Sequence, residues 1–149
     1  MRPSALDELG LEAALGNYVR EWRDHFGVSA ELHANVPALE LLDPDVAIHL
    51  YRIAQESLNN VSKHANATKV SVTLELRASD VTLVVEDNGR GFDLDAAPDD
   101  DAQHLGLSGM RERARLVGGT LEIDSGTDRG TTVFARVPFA RLRDQGGMR

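Results

Sequence analysis

No cysteine occurs in the chain, so disulfides, thiol catalysis and cysteine-ligated zinc are excluded from the outset. No apolar run is long enough to span a bilayer, and Met1-Arg2-Pro3-Ser4 begins no signal peptide. Basic residues are outnumbered, 16 against 24 acids, and the formal net charge is −8. A surface that binds duplex nucleic acid needs a field of the opposite sign, so nucleic acid is a poor partner for the bulk of this chain. The charge leaves room for a nucleotide, because one phosphate chain can be neutralised locally by a metal ion and a lysine. What remains is ordinary: 149 residues, 42% hydrophobic and 27% charged, the size and composition of one soluble globular domain. The expectation is a cytoplasmic domain that makes no membrane contact itself, whatever anchors a parent protein.

Periodicity divides the chain into alternating elements. Leu11, Ala14, Leu15, Tyr18, Val19, Trp22 and Phe26 recur at helical spacing and make one apolar stripe, which Gly27 is placed to stop. Upstream, Ser4 is suited to cap a short helical turn that Gly10 breaks. Residues 28–36 alternate as a strand. Asp43-Pro44 reads as a helix start, a capping acceptor followed by proline at the first helical position, for a helix running to about Ala65. Residues 69–76 and 81–85 alternate on either side of a short polar turn, which predicts an antiparallel hairpin. Residues 93–103, with five aspartates, read as a loop suited to be a hinged lid. A helix over 109–117 and strands over 120–123 and 131–137 follow, then a polar tail over 141–149 that is expected to fray. The order predicts a two-layer α/β (α+β) sandwich: a mixed, mostly antiparallel five-stranded sheet with about three helices on one face. Residues 1–27 are expected to form a connection and first helix belonging to the same domain as 28–140.

Four short segments carry polar chemistry. On the long helix Val46, Leu50, Ile53, Ala54, Leu58, Val61 and Ala65 form an apolar arc, and Glu56, Asn60 and Lys63 fall on a narrow face beside it. An acid, a carboxamide and an ammonium so spaced suit Mg²⁺ at Asn60, a polarised water or ligand at Glu56 and phosphate at Lys63. They suit equally a solvated face on which Glu56 and Lys63 pair. The second segment, Glu86-Asp87-Asn88-Gly89-Arg90-Gly91-Phe92, ends a strand in an acid that can accept from the exocyclic amine of adenine. Its glycines let backbone approach a flat ring. An ordinary turn uses the same residues. The third, His104-Leu105-Gly106-Leu107-Ser108-Gly109-Met110, leads into a helix and offers free N–H groups at a positive dipole end, or simply close packing. The fourth, Gly126 to Thr132, is a glycine-bounded turn that a plain hairpin would also explain.

In this order the four segments resemble the N, G1, G2 and G3 boxes of the GHKL ATPase superfamily, whose fold is of the Bergerat type. Gln55-Glu56-Ser57-Leu58-Asn59-Asn60-Val61-Ser62-Lys63-His64-Ala65 is most similar to the histidine-kinase N box. Gly106-Leu107-Ser108-Gly109-Met110-Arg111-Glu112-Arg113, Gly118-Gly119-Thr120-Leu121-Glu122-Ile123 and Gly130-Thr131-Thr132-Val133 resemble the NarX/DesK-like subgroup of sensor kinases. The resemblance covers roughly residues 43–139. It implies ATP and Mg²⁺ as cofactors, with Asn60 on the metal through the phosphates and Asp87 on the adenine amine. It places Glu56 and Asn60 in the catalytic machinery, Glu56 as a polarising acid. ATP contacts are implied for Asn60, Lys63, His64, Asp87, Gly89, Gly91, Gly106, Leu107, Gly109, Met110 and one or both of Thr131 and Thr132. His64 also has a structural reading, beside the buried arc of its helix.

The resemblance further implies transfer of the ATP γ-phosphoryl to a histidine on a dimerisation domain, with a response regulator downstream. In the subgroup that histidine precedes an aspartate. None of His25, His33, His49, His64 and His104 does so here. Residues 2–11 resemble the connection that follows the dimerising helices, so the expectation is a piece of a longer kinase, nearly inactive alone. Two alternatives stand beside this: a stand-alone serine kinase of the anti-sigma-factor type, and a non-catalytic nucleotide-binding module.

Overall fold

In the computed structural model the described residues are 4–35, 42–77, 79–91, 101–126 and 128–138, without the side chains of 4–9, 64, 65 and 101–105. The elements run α1 (Ser4–Phe26), β1 (Ser29–Asn35), α2 (Pro44–Asn60), a π-helical turn (Val61–Ala65), β2 (Lys69–Leu76), β3 (Asp80–Asp87), α3 (Asp101–Leu116), β4 (Thr120–Ser125) and β5 (Thr131–Pro138). The five strands form one sheet in the order β1-β2-β3-β5-β4. Only β1 and β2 are parallel, because α2 crosses between them; the other pairs are antiparallel.

Strand alternation makes the sheet one-sided. Val70, Val72 and Leu74 of β2, Val81, Leu83 and Val85 of β3, and Val133, Ala135 and Val137 of β5 are buried against the helices, while Ser71, Thr73, Glu86, Phe134 and Arg136 lie between them on the other face. The helices each contribute one stripe to a single core. α1 supplies Leu11, Ala14, Leu15, Val19 and Trp22. α2 supplies Val46, Leu50, Ile53, Ala54 and Leu58, and α3 supplies Leu107, Met110 and Ala114, with Val117 just after it. Each fully buried leucine in such a core contributes about 1.5–3 kcal/mol relative to exposure. The stripe expected on α1 therefore packs on its own domain, except at its end, where Phe26 is 46% exposed and turns against Trp22 and His25 instead.

Local chemistry sets the boundaries. Gly10, at φ 86° and ψ 171°, kinks α1 where the sequence places a break. Asp43 caps α2 by accepting from the Asp45 N–H at 2.8 Å, with Pro44 at the first position. One boundary departs from the sequence reading. The helix expected at 109–117 begins at Asp101, so the end of the proposed loop and both Gly106 and Gly109 are helical. An acidic residue at the start of a helix is favoured by the dipole, and Asp101, Ala102 and Gln103 carry no breaker. Residues 92–100, the tail at 141–149 that is expected to fray, and the side chain of His64 lie outside the described residues.

Candidate functional site

The same alternation that points Val81, Leu83 and Val85 inward points Asp87 inward at the end of β3, where apolar neighbours give way to loops. Its side chain is left only 8% exposed. Burial raises the Asp87 carboxyl above its ordinary range; hydrogen bonds from the backbone of Gly89 and Thr131 oppose that rise, and Glu86 adds to it. The Gly89 N–H donates to Asp87 Oδ1 at 2.8 Å. A buried carboxylate at a strand end, held by backbone donors and with no ion-pair partner among the described residues, is suited to an external donor such as an amine.

Two glycines fix this corner. Gly91 has φ +67°, and a Cβ there would stand 2.1 Å from the Gly126 carbonyl oxygen and 2.9 Å from that of Gly130. Gly130 has φ +76°, and its Cβ would stand 2.2 Å from the Asp87 carbonyl oxygen. The G1-like and G3-like segments are thus laid backbone on backbone, and the Asp128 N–H donates to the Arg90 carbonyl across the junction. Thr131 pairs with Asp87 in register and shares its face, with its hydroxyl 2.8 Å from Ser125 Oγ. Thr132 pairs with Glu86, and alternation turns it to the opposite face. Of the two threonines named from the sequence, the geometry brings only Thr131 to the site.

α2 brings the polar helix face to the same end. Asn60 is half-buried, and a Cβ on Gly106 would meet its Oδ1 at 3.5 Å, so α3 lies close over the carboxamide. Glu56, one turn earlier, is also half-buried and borders a cleft between the helices. Lys63 is exposed and sits in the π-helical turn, which closes at Asn66 in the left-handed conformation (φ 52°, ψ 40°). A π turn inserts residues relative to α-helical register, so Lys63 does not continue the Glu56–Asn60 face as an unbroken α-helix would have it.

Four residues of the glycine segment sit otherwise than a loop before a helix would place them. Leu107 and Met110 are buried, and Met110 Sδ accepts from Ser57 Oγ at 3.3 Å. Their side chains belong to the core between α3 and the rest of the domain. Gly106 and Gly109 are helix-internal, not a loop before a helix. Two contributors carry no sequence signal of their own. Ser57, buried, also donates to the Ile53 carbonyl at 2.8 Å. Asn88 Oδ1 accepts from the N–H groups of Thr68 and Lys69, both at 3.0 Å, and ties the chain after Asp87 to the start of β2.

Comparison with known proteins agrees with this geometry. A profile of the family described as "Histidine kinase-, DNA gyrase B-, and HSP90-like ATPase" matches residues 45–141. The chain is 40% identical over 139 residues to the oxygen sensor histidine kinase NreB of Staphylococcus carnosus, covering 93% of this chain and 39% of that protein. It is 35% identical over 142 residues to the signal transduction histidine-protein kinase/phosphatase DegS of Bacillus subtilis, covering 93% of this chain and 37% of that protein. In fold it is similar to the histidine kinase domain of the Erythrobacter litoralis EL346 blue-light activated kinase (TM-score 0.70, 22% identity, 90% of this chain and 63% of that one). It is also similar to the Acinetobacter baumannii histidine kinase AdeS (TM-score 0.64, 17% identity, 86% of this chain and 62% of that one). The chain spans under two-fifths of its curated relatives' length, and it belongs to the histidine kinase-, DNA gyrase B- and HSP90-like ATPase family, as an ATP-binding domain of the histidine-kinase kind.

Proposed function

We propose that residues 28–140, with α1 packed on them, bind Mg-ATP and pass its γ-phosphoryl group to a histidine on a separate dimerisation domain, from which a response regulator would take it. The buried, backbone-held carboxylate of Asp87 carries this reading, because it faces the site with an acceptor ready for the adenine amine. Asn60, with Gly106 close to its carboxamide, would lie on the phosphate side, and Lys63 would reach the phosphates from the π-helical turn. Among the described residues no group of three His, Asp or Glu side chains could cage a metal. That fits Mg²⁺, which keeps waters and substrate phosphates as ligands and needs one protein oxygen, here the Asn60 carboxamide. The ion would supply charge neutralisation on the phosphates. Glu56 borders the side from which an acceptor arrives, and its carboxylate would orient the attacking imidazole through its N–H. Phosphoryl transfer asks little covalent work of the protein, so positioning by these residues is most of the catalysis.

No described helix is long and apolar enough to cross a membrane, and we place the domain in the cytoplasm, where ATP is. Calorimetric titration of Mg-ATP and Mg-ADP tests the reading. Asp87→Asn should weaken both on the order of 10–100-fold, the worth of a hydrogen bond to a charged group. Asn60→Ala should keep metal-free binding and lose the gain from magnesium. A folded wild-type chain that binds neither nucleotide would leave a non-catalytic scaffold.

A further inference from the structure

Between α1, α2 and α3 lies a cleft of about 580 Å³ bordered by Tyr18 of α1, His49, Arg52 and Glu56 of α2, and Arg113 of α3. Two guanidiniums and an imidazole face one carboxylate there, in a chain whose formal net charge is −8. Folding has brought two guanidiniums from separate helices into one cleft with His49, whose pKa is lowered by burial first and by Arg113 next, with Asp45 opposing, so the ring is neutral near pH 7. The contrast between two neighbours on α3 is informative. Arg115 is exposed and forms an ion pair with Glu112 at 2.8 Å, the usual state of a surface arginine. Arg113 is half-buried, and its Nη1 stands 3.5 Å from His49 Nδ1, a ring nitrogen rather than an acid. Among the described residues Arg113 has no carboxylate partner. Arg52 donates to Gln55 Oε1 at 2.8 Å, which keeps its guanidinium along the same wall.

A guanidinium presents a planar fork of donors that matches a carboxylate. The residues named are all half-buried rather than enclosed. A small free ligand is usually held by burying most of its surface, whereas a side chain carried on a protein segment needs only an open seat. The cleft also shares Glu56 with the face that leads, one turn on, to Asn60.

We propose that this cleft is a docking seat for an acidic segment of a partner protein, with Arg113 receiving a carboxylate from it. The further identification of that segment with the domain bearing the acceptor histidine rests on the phosphotransfer reading above; the binding itself does not. Hexaglutamate, hexalysine and free glutarate, each titrated into the whole 149-residue chain and followed by amide NMR shifts, test the proposal. Hexaglutamate should bind despite the overall charge, with shifts centred on His49, Arg52 and Arg113. Arg113→Gln should weaken it on the order of tenfold, while Arg115→Gln and Asp87→Asn leave it unchanged. Shifts centred elsewhere in the wild type, or equal losses in Arg113→Gln and Arg115→Gln, would overturn the seat, even where one variant folds poorly. Glutarate binding as tightly as the peptide would overturn the partner segment in favour of a free dicarboxylate. Arg113→Gln should also leave Mg-ATP affinity intact. Failure of nucleotide binding alone, with peptide binding retained, would sink the kinase reading and not this one.

Discussion

The two ends of the site are built from different materials. The Asp87 end is backbone laid on backbone: Gly91 and Gly130 close on carbonyl oxygens, Gly89 and Thr131 hold the carboxylate, and Asn88 clips the loop to β2. The Asn60 end is made of side chains on helices, with an exposed Lys63 in a π turn and a covering helix that carries two internal glycines. A backbone junction fixed by strand pairing has one arrangement. A glycine-bearing helix costs about 0.5–1 kcal/mol per glycine relative to alanine, so it lies closer to its unwound alternatives. One end is therefore suited to recognise a constant group, and the other to respond to what is bound.

The comparison breaks most sharply at Gly91. Its positive φ and the carbonyl oxygen 2.1 Å from a Cβ leave an alanine nowhere to go without parting the two loops. Gly91→Ala should destabilise the domain by roughly 2–4 kcal/mol, the strain of a left-handed residue plus a backbone displacement. Urea unfolding would measure this, and a loss below about 1 kcal/mol would mean that the junction yields more readily than the packing implies.

A smaller effect, of opposite sign, is expected at the carboxylate inside that junction. Burial raises the folded-state pKa of Asp87. The folded protein then holds the proton more tightly than the unfolded chain does. Relative stability is highest below the unfolded value of 3.8 and is lost as pH rises through it to the raised folded value. At neutral pH the ionised group is a standing cost, which the proposed nucleotide contact would offset. Asp87→Asn keeps an oxygen for the Gly89 N–H and should raise the neutral-pH melting temperature by a few degrees while nucleotide affinity falls. The gain should shrink as the pH is lowered toward the unfolded value. A melting temperature that drops at neutral pH would show that the charge supports the fold.

Much of this was legible in the sequence, for identifiable reasons. Strand alternation and the single apolar arc of α2 depend on nearest neighbours and a fixed period, so the strands, the hairpin of β2 and β3 and the buried face of α2 follow from spacing. The same parity separates Thr131 from Thr132, once the register between β3 and β5 is known. What spacing did not show depends on contacts far apart in the chain. Met110 is a core residue because Ser57, 53 positions earlier, stands against it. Gly106 and Gly109 look like a loop by composition, yet tertiary packing of the buried Leu107, Met110 and Ala114 holds the segment that carries them as a helix. Arg113 gives no signal at all until the fold sets it beside His49.

The glycine pair on α3 allows the finest test of the comparison, because one of its members is unencumbered. A Cβ at Gly109 meets nothing within 4 Å, so alanine enters without a clash. Gly109→Ala should then stabilise the ligand-free domain by about 0.5–1 kcal/mol through helix propensity alone. If Mg-ATP is bound by the helix as it stands, its affinity is unchanged. If the phosphates are received on backbone N–H groups freed by unwinding the start of α3, the same energy opposes binding, and affinity falls by about 2–5-fold. Unfolding and calorimetric titration of one variant measure both quantities. Matched values would identify the covering helix as the element that changes on binding, whereas a stabilised variant with unaltered affinity would make the phosphate end as fixed as the adenine end.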